Sequence, residues 1–343
     1  MPSTRTISLL FERFPEARAI PWARILEAPT PVRRLERFGE ALGGAEVWIK
    51  QDSLASPLYG GNKPRKLEFA LGEALAQGAR RVMTAGAIGS NHCMATTIHA
   101  ARLGLKASLL LFPQPVTERV RRQLLAFRFY GADLHRVEGF EQLEARRAEI
   151  ADALRLAEGA APYWVPIGGS SPIGTLGFID GALELAAQAA RGEAPDPPRL
   201  YVPAGSCGTF AGLALGAKMA GMRMRVVGVH INPRAGAGSV ETVLALANGA
   251  AGILRQAGCA LGGVRLTDAD FEILTGYCGE GYAIPTEKGK AAVALLGETE
   301  GIPLDNTYSG KALSALIDAA RAHPAAGHVS PNDLPEEFQG YFK

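Results

Sequence analysis

Apolar and polar positions repeat along residues 46–257 as short apolar runs separated by longer amphipathic stretches. The short runs predict strands, at 46–50, 81–86, 106–112, 132–139, 162–169, 199–206 and 224–231. The longer stretches predict helices, at 65–79, 90–104, 116–130, 140–159, 173–191, 208–220 and 238–257. Repeated strand–helix units are typical of parallel sheets covered by helices, so the sequence predicts an α/β fold.

The pattern becomes irregular after residue 260. Helices are predicted there over 287–300 and 310–322, whereas the polar, proline-interrupted tail at 323–343 carries no prediction. The charged, proline-rich stretch at 191–199 is the clearest candidate linker. A chain of 343 residues is long enough for roughly two domains.

Composition narrows the class of protein. The net charge of +2 lacks the basic excess of a nucleic-acid-binding protein. Cys93, Cys207, Cys259 and Cys278 are far apart and form no C-x-x-C pair, which argues against a zinc ribbon and fits a reducing compartment. The N-terminal apolar stretch is cut by Glu12, and no apolar run is long enough to cross a membrane. We therefore expect a cytoplasmic protein that binds neither nucleic acid nor membrane, and no metal.

The first candidate motif is YGGNKPRKLEF at 59–69. It places Lys63 at the entry to a predicted helix, with Pro64 in the first turn. A glycine-rich turn with a solvated lysine is the plainer interpretation. The alternative is a desolvated, nucleophilic lysine of the kind that forms Schiff bases.

The second motif, TAGAIGSNHCMA at 84–95, joins a strand to a helix. Ser90 is a candidate N-cap, and the helix N-terminus with Asn91 could receive an anion. His92 is a candidate catalytic group or a hydrogen-bonding neighbour.

The third motif, VPAGSCGTFAG at 202–212, is a strand, a small-residue loop and a helix start, which is a phosphate-binding arrangement. It lacks the Gly-Lys-Ser/Thr ending of a Walker loop. The next strand ends in HINPRAG at 230–236, without the acidic residue that would hold a ribose. A cofactor with a single phosphate is favoured over NAD.

The fourth motif is a pair of segments, EGYAIPTEKG at 280–289 and DNTYSGKA at 305–312. Tyr282 and Tyr308 precede helices there and are either packing aromatics or acid–base phenols. One lysine, one phosphate loop and several small polar groups at strand ends are together the set that pyridoxal phosphate requires.

The four motifs together resemble the D-cysteine desulfhydrase and 1-aminocyclopropane-1-carboxylate (ACC) deaminase family of pyridoxal-phosphate enzymes. The resemblance extends over about residues 25–322 and includes GGSSPIGTLGF at 168–178. It implies fold type II, the tryptophan synthase β-like fold: two open, twisted, mostly parallel sheets flanked by helices. It also implies a homodimer and two nested domains, one formed by 1–65 with 174–343 and the other by the inserted segment 66–173.

The resemblance also implies a role for each matching residue. Lys63 is the Schiff-base lysine, Asn62 precedes it in the cofactor site, and Asn91 contacts the cofactor's ring oxygen. The segment that holds the substrate carboxylate is Ser90, Asn91 and His92, with Ser90 close to the reacting carbon. The phosphate loop is Gly205, Ser206, Cys207, Gly208 and Thr209. Tyr282 and Tyr308 are the active-site tyrosines, and Ser309 is the partner of the pyridine nitrogen.

Two details favour the desulfhydrase branch, namely the SNH segment at 90–92 and the Tyr308–Ser309 pair. The expected reaction is α,β-elimination on a small amino acid, with D-cysteine the first candidate. ACC deamination, another elimination, β-replacement or racemisation, and a non-catalytic relative remain as alternatives. The sequence departs from the family in lacking a His-Thr-Gly-Gly-like turn after Ala322 and in having Pro64 after the lysine.

Overall fold

A computed structural model describes residues 6–232, 238–281 and 283–322. The helices are α1 Leu9–Arg13, α2 Glu36–Ala41, α3 Lys63–Ala76, α4 Asn91–Arg102, α5 Glu118–Phe129, α6 Leu143–Glu158, α7 Pro172–Ala190, α8 Gly208–Ala220, α9 Val240–Gln256, α10 Glu287–Glu300 and α11 Ser309–Ala322. The strands are β1 Val32–Arg34, β2 Trp48–Lys50, β3 Arg81–Ala87, β4 Lys106–Phe112, β5 Asp133–Arg136, β6 Tyr163–Trp164, β7 Arg199–Ala204, β8 Arg225–His230 and β9 Phe271–Leu274. No helix within these described ranges is long and apolar enough to span a membrane.

The first sheet is parallel, with the strand order β5-β4-β3-β6. Its central strands β3 and β4 pair in register from Arg81 with Lys106 to Ala87 with Phe112. Leu109 and Leu110 point to opposite faces of β4, and both are fully buried. Burial on both faces explains why β4 is a continuous apolar run, and its predicted bounds match the observed ones.

The second sheet is also parallel, with the order β7-β8-β9. Its third strand, β9, was not predicted, because only Phe271 is fully buried in it. Glu272 faces outward toward Arg199 and Arg225, at N–O distances of 3.4 and 3.9 Å. This short, half-polar edge strand has no clear apolar alternation. The two sheets confirm the predicted parallel α/β architecture, which is extended by a short antiparallel pair, β1 with β2.

Helix α7 packs against both α3 and α8, the two helices whose first turns carry candidate site residues. Gly212 of α8 lies so close to α7 that a Cβ atom there would be 2.5 Å from Phe178 Cβ. Gly177 of α7 has no room for a side chain either, because the carbonyl oxygen of Arg65 would be 2.0 Å away. The first turn of α3 and helix α8 therefore both pack closely against α7, with only glycine fitting at the two contacts.

A buried cluster of charges fixes the first turn of α3. The fully buried Arg65 guanidinium contacts Asp52 at 2.9 Å and Glu184 at 2.8 Å. Lys50 of β2 adds a second cation, 2.7 Å from Glu184. Glu184 has a pKa well below its usual range, since the charges of Arg65 and Lys50 outweigh the burial of its carboxyl group. These ion pairs anchor the first turn of α3, which contains Lys63.

Candidate active site

Lys63 is the first residue of α3, which begins two residues before the predicted start at 65, and it follows the turn formed by Gly60, Gly61 and Asn62. Gly61 has φ of +93°, and a Cβ on Gly60 would be 1.9 Å from the carbonyl oxygen of Ser53. Both positions in the turn therefore require glycine. Burial lowers the pKa of the Lys63 amine to about 8, although a hydrogen bond with Lys66 and the charge of Asp305 act in the opposite direction.

The predicted phosphate loop connects β7 to α8. Cys207 adopts a left-handed conformation with φ of +65°, and α8 begins at the next residue, Gly208. Asn62 Nδ2 donates to Thr209 Oγ1 at 2.9 Å, which joins the lysine turn directly to this loop. The N–H groups of the first turn of α8 that follow Gly208 are of the kind that bind anions, and they lie beside the Lys63 turn.

Ser170 supports the loop from the segment before α7. Its hydroxyl donates to Ser206 Oγ at 2.8 Å and accepts from Gly208 N at 3.1 Å. A Cβ on Gly208 would be 2.6 Å from Ser170 Oγ, so the contact requires glycine at that position. The resemblance assigned only a neighbouring segment here, and the structure identifies Ser170 as its contact with the loop.

Lys66 is a site residue that the sequence analysis missed. Its amine donates to Ser170 Oγ at 3.2 Å and is hydrogen-bonded to Lys63. Burial and the nearby charge of Lys63 hold the pKa of Lys66 well below its usual range. In the sequence, nothing distinguishes Lys66 from an exposed lysine on a helix surface. In the structure the residue is only 1% exposed.

Ser90 is the N-cap of α4, and its hydroxyl accepts from Cys93 N at 3.2 Å. Asn91, the first helical residue, has its amide oxygen occupied by two donors. Tyr59 OH donates to it at 3.0 Å, and an Arg119 nitrogen donates at 2.9 Å. Asn91 therefore has its N–H groups, and not its oxygen, available for a ligand.

His92 is buried and neutral, because burial and the charges of Lys63 and Lys66 hold its pKa well below the usual range. Thr84 Oγ1 donates its single proton to the carbonyl oxygen of Val165 at 2.7 Å and is 2.8 Å from His92 Nε2. His92 Nε2 must then be the donor, so Nδ1 is an unprotonated acceptor. Nδ1 has no partner in the described part of the chain.

The segment before α11 carries Tyr308 and Ser309. Asp305, which the sequence analysis missed, accepts hydrogen bonds from the backbone N–H groups of Thr307, Tyr308 and Ser309 at 2.9, 2.6 and 3.2 Å. The sequence signal that could have identified Asp305 is an aspartate just before a predicted helix, a position where its side chain commonly caps backbone N–H groups. Tyr282 and the tail at 323–343 lie outside the described residues.

One cleft of about 1630 Å³ brings the predicted residues together. It opens at the carboxyl ends of β3, β4, β7 and β8, where ligands of parallel sheets bind. The predicted residues in its lining are Asn62, Lys63, Ser90, Asn91, His92, Gly205, Ser206, Cys207, Thr209, Tyr308 and Ser309. Gly208 supports this wall through Ser170. The cleft thus combines a desolvated amine, an anion-binding loop and a neutral imidazole.

Residues 23–330 match the family model described as pyridoxal-phosphate dependent enzyme, and the chain belongs to this family. It is 35% identical over 303 residues to D-cysteine desulfhydrase of Salmonella schwarzengrund, covering 87% of this chain and 88% of that protein. The Klebsiella pneumoniae protein of the same name is 36% identical over the same length. These findings confirm the resemblance that the motifs predicted.

Solved structures confirm the fold. The crystal structure of an ACC deaminase homologue aligns with a TM-score of 0.77 at 32% identity, over 91% of this chain and 90% of that chain. O-ureido-L-serine synthase aligns with a TM-score of 0.60 at 20% identity, over 86% and 85% of the two chains, and shares the fold alone. The chain is a fold type II enzyme, as predicted.

The residues present fit the cofactor of this family, pyridoxal phosphate. The cofactor needs an amine for its aldehyde and N–H donors for its phosphate. Lys63 supplies a weakly basic amine, and the loop from Gly205 to Thr209 supplies a helix N-terminus with no acidic side chain. The hydrogen bond between Asn62 and Thr209 places both in one wall of the cleft.

Proposed function

We propose that this enzyme catalyses α,β-elimination on a small amino acid, with D-cysteine as the first candidate. The net reaction consumes water and converts D-cysteine to pyruvate, ammonia and sulfide. The observation that carries the proposal is the weakly basic Lys63 amine beside the anion-binding loop, in a chain similar to D-cysteine desulfhydrases. The enzyme is accordingly a lyase.

Each predicted residue has a part in this proposal. The phosphate is held by Gly205, Ser206, Cys207, Gly208 and Thr209, next to Asn62. Asn91 would donate to the ring oxygen through its amide N–H groups, and Ser309 would be the partner of the pyridine nitrogen. Bound pyridoxal phosphate supplies an electron sink for negative charge at Cα. The substrate carboxylate is received at the α4 N-terminus formed by Ser90, Asn91 and His92.

Lys63 Nζ removes the Cα proton in this proposal, since an amine with a pKa of about 8 is partly neutral near neutral pH. The Cβ–S bond breaks and sulfur leaves with the bonding electrons. Tyr308, in the cleft wall, is the first choice to donate a proton to the leaving sulfur, and Tyr282 is the second phenol of the prediction.

Ser309 is the reason for preferring elimination of a good leaving group. A carboxylate beside a pyridine nitrogen keeps it protonated, whereas a serine hydroxyl leaves it largely neutral and weakens the electron sink. The carboxylate of Asp305, which accepts from Ser309 N, is engaged by three backbone N–H groups. Loss of a thiolate tolerates the weaker sink better than opening of a cyclopropane ring does.

ACC deamination is the second candidate, favoured by the similarity to the ACC deaminase homologue. The deciding experiment incubates the holoenzyme separately with D-cysteine and with ACC. Sulfide and pyruvate are measured in the first reaction, and 2-oxobutyrate in the second. Release of 2-oxobutyrate without sulfide would reverse the ranking. A panel of D- and L-amino acids, followed by keto-acid release, tests the other eliminations.

We also propose two nested domains, 1–65 with 174–343 and the inserted 66–173. This division is supported by the strand content of the sheets, since β3 to β6 lie within 81–164 and β7 to β9 within 199–274. A cytoplasmic homodimer completes the proposal. The cytoplasmic location is supported by the four cysteines, which are all free, as is usual in a reducing compartment. Light scattering coupled to gel filtration tests the dimer.

A further inference from the structure

The SNH segment at 90–92 offers a substrate carboxylate few free side-chain donors. The His92 ring has one N–H, which is used on Thr84, so the ring presents only an acceptor, and His92 can bind a carboxylate only through its backbone N–H. Ser90 Oγ accepts from Cys93 N in the helix cap and keeps a single O–H donor. The side chain of the segment that offers N–H groups is Asn91, since its oxygen is occupied.

Arg119 is the residue that occupies this oxygen together with Tyr59. It comes from α5 and lines the cleft. One nitrogen donates to Asn91 Oδ1 at 2.9 Å. A guanidinium has five N–H donors, so this bond leaves most of them for a ligand.

Arg119 differs from most other cationic side chains of the cleft in having no carboxylate partner among the described residues. Among the described residues, the cations in the lining are Lys50, Lys63, Arg65, Lys66, Arg119 and Arg199. Lys50 and Arg65 are paired with Glu184, and Arg199 with Glu272. Lys63 and Lys66 have lowered pKa values. No carboxylate of the described residues pairs with Arg119.

The acidic residues of the same lining are already engaged. Within the described chain they are Glu46, Asp52 and Asp305. Glu46 accepts from Trp48 Nε1 at 2.9 Å, Asp52 is paired with Arg65, and Asp305 caps the segment before α11. Arg119 therefore gives the cleft a positive charge next to Asn91 that no carboxylate of the described residues neutralises.

We infer that Arg119 is a substrate-binding residue that receives the α-carboxylate of the amino acid, with Tyr59 as a positioning residue that holds Asn91 beside it. The inference rests on the proposed use of an amino-acid substrate. A guanidinium suits a carboxylate because two parallel N–H groups match its two oxygens. Asn91 is kept with its N–H groups toward the cleft by the same two donors.

The test measures binding and not turnover. Alanine lacks a leaving group, so titration of the holoenzyme with D- or L-alanine, followed by the visible spectrum of the cofactor, gives a Kd without elimination. Alaninamide is the matched probe without the negative charge. The variants are Arg119→Met and Arg119→Lys, and the control is Arg122→Met. Arg122 is an exposed arginine of the same helix that contacts Glu118 at 3.1 Å.

We expect Arg119→Met to raise the Kd of the bound alanine enantiomer by about tenfold, the usual effect of losing a hydrogen bond to a charged group. Its Kd for alaninamide stays within about twofold of wild type, Arg119→Lys is intermediate, and Arg122→Met changes neither constant. Equal increases for alanine and alaninamide, or an unchanged alanine Kd, would overturn the inference. Circular dichroism spectra and cofactor content equal to those of the wild-type protein establish that each variant is folded and retains its cofactor.

The result also separates this inference from the proposed reaction. If alanine binds through Arg119 but D-cysteine yields neither sulfide nor pyruvate, the proposed reaction is wrong and the carboxylate site stands. If neither enantiomer of alanine perturbs the wild-type spectrum, the amino-acid substrate class and the Arg119 site both fall.

Discussion

Asn62 Nδ2 donates to Thr209 Oγ1 at 2.9 Å, and this bond joins the turn before Lys63 to the loop at the start of α8. The two residues are far apart in sequence and belong to different motifs. Their contact places the amine that would bind the cofactor's aldehyde and the N–H groups that would bind its phosphate in a fixed relationship.

Asn62→Ala should weaken the binding of pyridoxal phosphate to the apoprotein by roughly twofold to tenfold, the range expected for one net hydrogen bond. The measurement is a titration of apoprotein followed by the visible absorbance. Asn248→Ala is the matched control. Asn248 bonds to Leu266 away from the cleft, so its loss should lower stability without changing cofactor affinity. Equal cofactor affinities for Asn62→Ala and wild type would show that the bond does not organise the site.

Gly208→Ala should also reduce cofactor affinity, for a steric reason. The new Cβ would be 2.6 Å from Ser170 Oγ and 3.1 Å from Ser170 Cα. Such overpacking destabilises a protein by ~1–3 kcal/mol, because Ser170 and the loop must move apart to accommodate the methyl group.

Gly252→Ala is the control for Gly208→Ala. Gly252 lies inside α9 with nothing within 4 Å of its added Cβ, so this change should stabilise the protein by ~0.5–1 kcal/mol. Thermal unfolding with and without cofactor measures both variants. A Gly208→Ala protein that binds the cofactor like wild type would contradict the close fit of Ser170 to the loop.

The pH dependence of cofactor uptake tests the lowered pKa of Lys63. The reacting form is the neutral amine, and with a pKa of about 8 its population rises as pH increases. The uptake rate of the apoprotein should rise roughly tenfold from pH 7 to pH 9 and then level off. Asp305→Asn should move the midpoint to lower pH, because the Asp305 charge raises the pKa of Lys63. Stopped-flow absorbance measures the rate, and a midpoint near the ordinary lysine value of 10.5 would contradict the burial of this amine.

Arg65→Met should destabilise the fold strongly. It leaves Asp52 without its 2.9 Å partner and removes one of the two cations that balance the buried Glu184. Breaking a buried ion pair in this way typically costs ~3–5 kcal/mol. The exposed pair of Arg122 with Glu118 is the comparison, and Arg122→Met should cost less than ~1 kcal/mol. Urea unfolding measures both, and similar values for the two variants would contradict the role of the cluster.

Much of the fold could be predicted from the sequence, since buried parallel strands carry a strong pattern. Strand β4 and helices α8 and α10 have the predicted bounds. Strand β9 was missed because outward-facing Glu272 breaks its apolar pattern. The elements before residue 46 were not predicted, because β1 is only three residues long and α2 only six.

The candidate site could be predicted where backbone geometry leaves a mark on the sequence. Glycines and small residues before a helix indicated the Lys63 turn, the Ser90 cap and the loop from Gly205 to Thr209. Tyr59, Lys66 and Arg119 left no such mark, because each acts through a side chain that only the tertiary structure brings to the cleft. Their chemistry depends on neighbours distant in sequence.

The attachment point of the cofactor can be tested directly, because two lysine amines, those of Lys63 and Lys66, are neighbours in the cleft. The holoenzyme is reduced with borohydride, which fixes pyridoxal to the amine that holds it, and the modified residue is located by tandem mass spectrometry. We predict the pyridoxyl group on Lys63, loss of the visible imine band in Lys63→Ala, and retention of that band in Lys66→Met. A pyridoxyl group on Lys66, or an unchanged visible band in Lys63→Ala, would contradict this account.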